Sequence, residues 1–446
     1  MWATSDDVRG HVMYGDSMNS LHFHAKSTVA ILQSDSWNAL RNIHRAQMEE
    51  RTRHFLVYGD LGSYFGKPTY PVLKEEVDTE QYDAVWHIGD FAYDLNVNGG
   101  KYGDVFFDLI EPVASRIPYM TLPGNHEYAD DFHHYRVRFS MPGTTWPMEL
   151  DRLWFSYNIG LVHFISFSTE VYFVHNQNQV CTQYDWLLQD LTEANRNRDK
   201  QPWIVAMGHR PMYCSNDEPK SDCTPGFFHY WVRNGLEDLF HYMGVDLLIM
   251  GHEHSYERFW PMYRQKVFAQ NYMDPEGTVH VISGAAGCNE IYDKMGTPVP
   301  GSAFRVDSRS YHSYGKLTVY NSTHLQFIQK TVKPRGELDN FMIVQHRHGP
   351  RIKDLDCEKG VFAVCRCPFP FHFVTAAVAS GIGLLLAIVL ITICCCRNCK
   401  CCPLFKGKRC CRNNVMKGRR KKRNDDLHHN LEPDTYNLLD HIDPDV

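Results

Sequence analysis

The sequence predicts an α/β protein in which two sheets pack together with helices outside, followed by one C-terminal transmembrane helix. Three observations carry this. Five short apolar runs, at residues 55–58, 85–88, 119–122, 203–207 and 245–250, each end in a glycine followed by a metal-capable side chain: Asp60, Asp90, Asn125, His209 and His252. The gaps between them are long enough for crossover helices, as buried strands of an α/β fold require. Further strand-like stretches follow at 279–283, 314–319 and 325–331, enough for a second sheet packed on the first. Residues 373–396 carry no charge, and about 20 such residues cross a bilayer.

Before the first run, the stretches 11–15 and 27–32 have strand composition but are too few for a sandwich domain. No apolar h-region follows Met1, so a lumenal body implies a leader upstream of this sequence. From residue 54 the pattern alternates strand and helix. Helical stretches are expected at 71–82, 104–115, 130–139, 185–195 and 232–243. Aromatic-rich strands at 153–158 and 162–166 meet around Gly160 as a hairpin.

Of the 446 residues, 43% are apolar and 22% charged, enough to bury a large core. The net charge of −6 is unevenly spread: beyond residue 396 there are 12 Lys/Arg against 7 Asp/Glu, so the preceding body stands at −11. Such a body lacks the basic face of a nucleic-acid binder, and no nucleic-acid partner is expected. The basic flank after residue 396 places the C-terminus in the cytoplasm and the body in the lumen or outside the cell, on a secretory or endolysosomal route. Seven cysteines precede residue 370 and eight crowd into 394–411. Sparse body cysteines and the sequon Asn321-Ser322-Thr323 fit an oxidising, glycosylating compartment. Cys214 and Cys223 share a polar loop and can close a local bridge. In the tail, the cysteines at the membrane edge are candidates for S-acylation, and Tyr436-Asn437-Leu438-Leu439 resembles tyrosine-based sorting signals read by adaptors.

A strand that turns its first loop residue toward an ion needs positive φ or close backbone approach, and glycine permits both. Ligands of α/β sheets collect beyond the carboxyl ends of strands, so the five endings are expected to converge on one crevice. Asp60, Asp90, Tyr93, Asn125, His209, His252 and His254 are then the metal candidates. Two ions about 3.5–4 Å apart need a bridging carboxylate, assigned to Asp90. Each motif alone is common; their conjunction in one order is not.

Gly59-Asp60-Leu61-Gly62, Gly89-Asp90-Phe91-Ala92-Tyr93, Gly124-Asn125-His126-Glu127, the run ending at His209, and Gly251-His252-Glu253-His254 resemble the five motif blocks of the purple acid phosphatases, within the calcineurin-like metallophosphoesterases. Phe167-Ser168-Thr169-Glu170 and Gly208-His209-Arg210-Pro211 look like the animal branch of the large plant-like type. The resemblance implies a four-layer α/β/β/α metallophosphoesterase sandwich of two mixed sheets. It also implies a ferric site of Asp60, Asp90, Tyr93 and His254 and a divalent site (Zn, Fe or Mn) of Asp90, Asn125, His209 and His252. Other metallophosphoesterases begin Asp-x-His; here Gly62 stands at that histidine's place and Tyr93 replaces it, which favours the purple branch. A phenolate with carboxylates suits Fe(III), and imidazoles with an amide suit a divalent ion.

The implied reaction is acid hydrolysis of phosphate monoesters by a metal-bound hydroxide, with His126 contacting phosphate or protonating the leaving group. Phosphodiester or pyrophosphate hydrolysis is the alternative on the same site. A catalytically silent membrane receptor predicts eroded ligand positions, whereas all seven are filled. Glu127 reads as structural, and Tyr256 and Arg258 as a buttress of the last loop. Two departures stand out: the loop at 215–222 lacks the histidines of plant relatives, and residues 1–53 hold at most a remnant of their fibronectin-like sandwich. The expected organisation is therefore 1–53 N-terminal segment, 54–335 catalytic domain, 336–372 juxtamembrane stalk, 373–396 transmembrane helix, and 397–446 a Cys-rich, basic, disordered cytoplasmic tail.

Overall fold

A computed structural model describes residues 52–368, apart from 174–176, 218–228, 289–293, 308–310, 353–362 and 366, together with the backbone of four N-terminal strands. The expected membrane helix at 373–396 and the tail at 397–446 lie outside the described residues. Among the described residues no helix is long and apolar enough to cross a membrane. The chain divides into two units, Met1–Val374 and Thr375–Val446.

The N-terminal strands, β1 (Trp2–Thr4), β2 (His11–Gly15), β3 (Leu21–Ser34) and β4 (Ala39–Ala46), form one antiparallel sheet in the order β1-β4-β3-β2. Two strands were expected there. The long β3 makes the difference, pairing with β2 through its first half and with β4 from Ser27 to Ser34.

The five apolar runs become β5 (Arg53–Tyr58), β6 (Ala84–His87), β7 (Tyr119–Thr121), β10 (Trp203–Met207) and β11 (Leu247–Met250). The aromatic hairpin is β8 (Phe155–Ile159) with β9 (Val162–Ser166). Helices α1 (Tyr70–Thr79), α2 (Lys101–Ala114), α3 (Ala129–Arg138), α4 (Gln177–Arg196) and α5 (His229–Tyr242) occupy the five expected crossovers. Later strands are β12 (Ser255–Phe259), the short pair β13 (Met262–Tyr263) and β14 (Lys266–Val267), β15 (Val279–Ser283), β16 (Ser302–Asp307), β17 (Ser313–Val319), β18 (His324–Thr331) and β19 (Gly336–Val344).

Two mixed sheets result, one of order β19-β18-β17-β5-β6-β7 and one of order β16-β12-β15-β11-β10-β9-β8. The late strands therefore do not make a second sheet of their own. β15 runs parallel beside β11, while β17 runs antiparallel beside β5. The reason lies in backbone accounting: β5 is buried from Phe55 to Tyr58, β6 satisfies only one of its edges, and β17 supplies the other. The sheets meet through aromatic side chains, Phe55 against Phe164 at 4.7 Å and Trp86 stacked on Phe155 at 5.8 Å. Outside them, Asp190 of α4 binds Ser156 and His163 of the hairpin, and Glu76 of α1 binds Tyr314 of β17 and Lys330 of β18.

Part of the expected stalk is folded. Residues 336–344 are β19, the edge strand of the six-stranded sheet, because they pair antiparallel with β18 along its whole length and so carry the hairpin past the boundary at 335. Farther on, Cys367 is disulfide-bonded to Cys181 of α4, and Tyr184 of α4 donates a hydrogen bond to the Val364 carbonyl at 2.7 Å. Cys214 and Cys365 are also in disulfides.

Candidate metal centre

All five motif loops leave the carboxyl ends of their strands on the same side, three from one sheet and two from the other, so the crevice spans both sheets. The loops are laced by backbone hydrogen bonds: Asp60 N to Gly89 O at 3.2 Å, Gly251 N to His209 O at 2.8 Å, and Gly59 N to Ser283 O at 3.0 Å.

Four of the candidate ligands themselves take positive φ, Asp60, Asp90, Tyr93 and His252 lying between 52° and 69°. Among non-glycine residues such values mark strained, over-determined positions. Of the glycines, Gly89 has φ +93°, while Gly124 serves close approach. A Cβ on Gly124 would lie 2.7 Å from His209 Nε2 and closer still to Asp90 Oδ1.

Four candidates form one cluster. His209 Nδ1 donates to the Ile88 carbonyl at 2.9 Å, which turns Nε2 toward Asp90 Oδ2 at 3.2 Å and Asn125 Oδ1 at 3.1 Å. His252 Nδ1 lies 2.9 Å from the same Asn125 oxygen. Donor atoms of Asp90, His209 and His252 all fall within 4.8 Å of one another. Beside them, Tyr93 Oη is 2.9 Å and Asp60 Oδ1 is 3.6 Å from His254 Nε2. Asp60 Oδ2 accepts the His252 N–H at 3.0 Å and joins the two clusters. All seven sequence-predicted donors thus meet in one place.

The electrostatics fit a cation. Burial, reinforced by the Asp90 charge, pushes the Asp60 carboxyl well above its ordinary range, and the buried Asp60 Oδ1 has no hydrogen-bond partner among the described residues. Burial acts the same way on Asp90, but the imidazoles of His209, His126 and His252 outweigh it and hold this carboxyl well below its usual range. His209 is pushed up to about 10, the Asp90 and Asp60 charges overcoming its burial. A buried carboxylate short of positive charge, in a glycine-lined cradle of oxygen and imidazole donors, is what bound metal cations would satisfy.

His126 is also placed at the site. Its Nδ1 pairs with Asp94 Oδ1 at 2.7 Å and its ring lies 4.4 Å from that of Tyr93. Sequence reasoning missed Asp94, although it directly follows Tyr93. It also missed the pairing of Arg210 with Glu170, two bonds of 3.0 and 3.1 Å, which aims Nη1 at His252 Nε2 at 3.1 Å. Both residues lay in stretches already singled out, but their 40-residue separation hid the pair. Glu127 is structural, accepting the backbone N–H groups of Asp90, Phe91 and Gly124. Tyr256 and Arg258 both grip Asp339 of β19, clamping one sheet to the other.

Fold and donor set define a class, the calcineurin-like phosphoesterases. Residues 53–256 match the family described as Calcineurin-like phosphoesterase, and residues 277–337 match Iron/zinc purple acid phosphatase-like protein C. Among curated proteins the chain is similar to acid phosphatase type 7 of Danio rerio, 45% identical over 66% of this chain and 69% of the relative. The Homo sapiens acid phosphatase type 7 is 44% identical over 66% and 68%. Among solved structures, a purple acid phosphatase from yellow lupin (Lupinus luteus) seeds shares the fold, with a TM-score of 0.54 at 20% identity, covering 77% of this chain and 68% of that one. The chain belongs to the purple acid phosphatase family of hydrolases, a family that implies a binuclear metal centre.

Proposed function

We propose that the protein is an acid phosphatase that hydrolyses phosphate monoesters at an Fe(III)–M(II) centre. Asp60, Asp90, Tyr93 and His254 would hold the ferric ion, and Asp90, Asn125, His209 and His252 the divalent one. The observation that carries this reading is the Tyr93 phenol, 2.9 Å from His254 and within the same donor group as Asp60. A phenolate and carboxylates form a hard, anionic set that suits Fe(III). When bound, the metal pair supplies Lewis acidity, a nucleophile that stays available in acid, and neutralisation of charge on the phosphoryl oxygens.

The chain's own residues do the rest. The Ile88 carbonyl fixes the His209 ring through Nδ1–H, so its Nε2 faces the site. Asp94 holds His126 at Nδ1 and so orients the ring as a proton donor toward the departing alkoxide. Glu127 locks the Asp90 loop to the Asn125 loop, which keeps the donors in register. The proposed setting is a single-pass membrane protein with its body in the lumen or outside the cell. The Cys181–Cys367 bridge supports an oxidising compartment for that body.

Metal analysis and a visible spectrum of the purified chain test the centre. Iron together with a tyrosinate-to-iron band that vanishes in Tyr93→Phe is the expected result; a colourless, active, all-zinc protein contradicts it. Parallel assays with p-nitrophenyl phosphate and its bis-ester separate monoesterase from diesterase action.

A further inference from the structure

The turn that follows β7 commits its residues to the site one by one. Asn125 brings Oδ1 to the donor cluster, and the His126 backbone N–H donates to Asp90 Oδ1 at 3.1 Å. Glu127 accepts the N–H groups of Asp90, Phe91 and Gly124. The residue after them is Tyr128, whose side chain is 42% exposed. A single exposed ring is ordinary on a protein surface, but the position of this one is not.

Asn125–Glu127 is a 3-10 turn, and Tyr128 continues it with helical backbone angles and an N–H bond to the Asn125 carbonyl at 3.2 Å. In that geometry residues three apart eclipse one another, about 6 Å apart along the axis. Tyr128 therefore lies on the same face of the turn as Asn125, the face whose amide oxygen meets His209 and His252.

The start of α3 is shaped around that ring. Asp130, Asp131 and Phe132 have φ of 53°, 54° and 59°, left-handed values that residues other than glycine avoid and a bulky phenylalanine most of all. Such a run persists only where its surroundings over-determine it. Its effect is to bury Phe132 and set that ring 5.4 Å from the Tyr128 ring at 76°. An edge-on pair of this kind steadies the tyrosine without covering both of its faces. Two more exposed rings, Tyr64 and Phe65, stand on the loop that leaves β5 with Asp60. That loop is tied to the Asp90 loop by Leu61 N to Asp90 O at 3.1 Å and Gly62 N to Phe91 O at 3.0 Å. The loops on both sides of Asp90 thus carry exposed aromatic rings. Asp130 and Asp131 are exposed as well, and their charge opposes a second anionic group on a ligand beside Tyr128.

We propose that Tyr128 is a specificity residue, the platform for a flat, uncharged aromatic group on the alcohol side of the phosphate ester. The inference rests on the phosphatase reading above. With the phosphoryl group at the metal donors and the leaving oxygen toward His126, the ring beyond that oxygen stacks on Tyr128. Aryl phosphates and nucleoside monophosphates both supply such a ring.

The purified, metal-loaded full chain is assayed on two matched pairs, phenyl phosphate with glycerol phosphate and adenosine monophosphate with ribose phosphate. Binding of phenylphosphonate and methylphosphonate, read by calorimetry, gives the same comparison without turnover. Tyr128→Leu is expected to raise KM for a ring-bearing ester, relative to its ringless partner, about three- to ten-fold, and to weaken phenylphosphonate relative to methylphosphonate by a similar factor. Tyr128→Phe, which keeps the ring, is expected to keep the preference. A loss confined to the first pair identifies aryl esters as the ligand, and one confined to the second identifies the nucleobase. If Tyr128→Leu shifts ring-bearing and ringless ligands alike, or shifts neither, in a chain that still hydrolyses glycerol phosphate, the platform role is wrong and the phosphatase reading stands. A parent chain inert on all four esters overturns that reading, and the platform with it.

Discussion

Glu127 gives the sharpest test of how the site is held together. Its carboxylate is buried, and Oε2 accepts the N–H groups of Asp90 and Gly124, both at 2.9 Å, while Oε1 accepts that of Phe91 at 3.1 Å. Removing the acceptor leaves three buried donors, each costing about 1–3 kcal/mol, so Glu127→Ala is expected to lose about 3–6 kcal/mol once water enters the space. That is a large share of a typical stability of about 5–15 kcal/mol. Glu127→Gln keeps an oxygen for Asp90 and Gly124 but turns an amide NH₂ toward Phe91 N–H, for a loss of about 1–2 kcal/mol. Denaturant unfolding reads both values, and metal content per chain reads the effect on the loops carrying Asp90 and Asn125. If the alanine and glutamine variants unfold within about 0.5 kcal/mol of the parent and retain full metal, the loop-lock argument is wrong.

Three further outcomes are expected. His126→Ala should lower kcat by about 10²–10⁴ with little change in metal content, and Asp94→Asn should lower it less, because Asp94 acts only by orienting the ring; equal metal loss in both would reassign them to the donor set. Gly124→Ala should fail to bind the divalent ion even though the backbone there has no positive φ, because its Cβ occupies the space between Asp90 and His209; metal titration by calorimetry reads this. Glu76 ties α1 to Tyr82, Tyr314 and Lys330, and although burial opposes it, these partners hold its carboxyl below the ordinary range. Its folded-state value lies below the unfolded value, so its stabilisation is present above an unfolded pKa of about 4.3 and fades as pH falls through the folded value. Glu76→Gln should therefore cost about 2 kcal/mol at pH 7 and progressively less in acid; a pH-independent loss in denaturant unfolding would refute the assignment.

Much of this site is written locally. Each candidate ligand follows a short apolar run and a glycine, so strand, turn and donor type are all readable within about six residues, as at Val57-Tyr58-Gly59-Asp60. The hidden parts are long-range pairings. Which sheet a strand joins depends on which exposed backbone edge it meets, and neither β15 beside β11 nor β17 beside β5 leaves a mark in its own residues. The same holds for Arg210 on Glu170 and for Asp339 under Arg258, where the partner lies 40 or 81 residues away. The stalk boundary failed for a related reason: β19 earns its place in the sheet through the register of β18, not through its composition. By itself, the sequence determined the strand-and-helix alternation, the donor chemistry and the order in which the seven donors appear, because these follow from local propensity and side-chain type. Only the tertiary structure decided that the donors come from the rims of two different sheets, that Glu127 ties the Asp90 and Asn125 loops together and that Asp94 orients His126 beside them, because proximity across a fold is set by packing and strand pairing rather than by spacing along the chain.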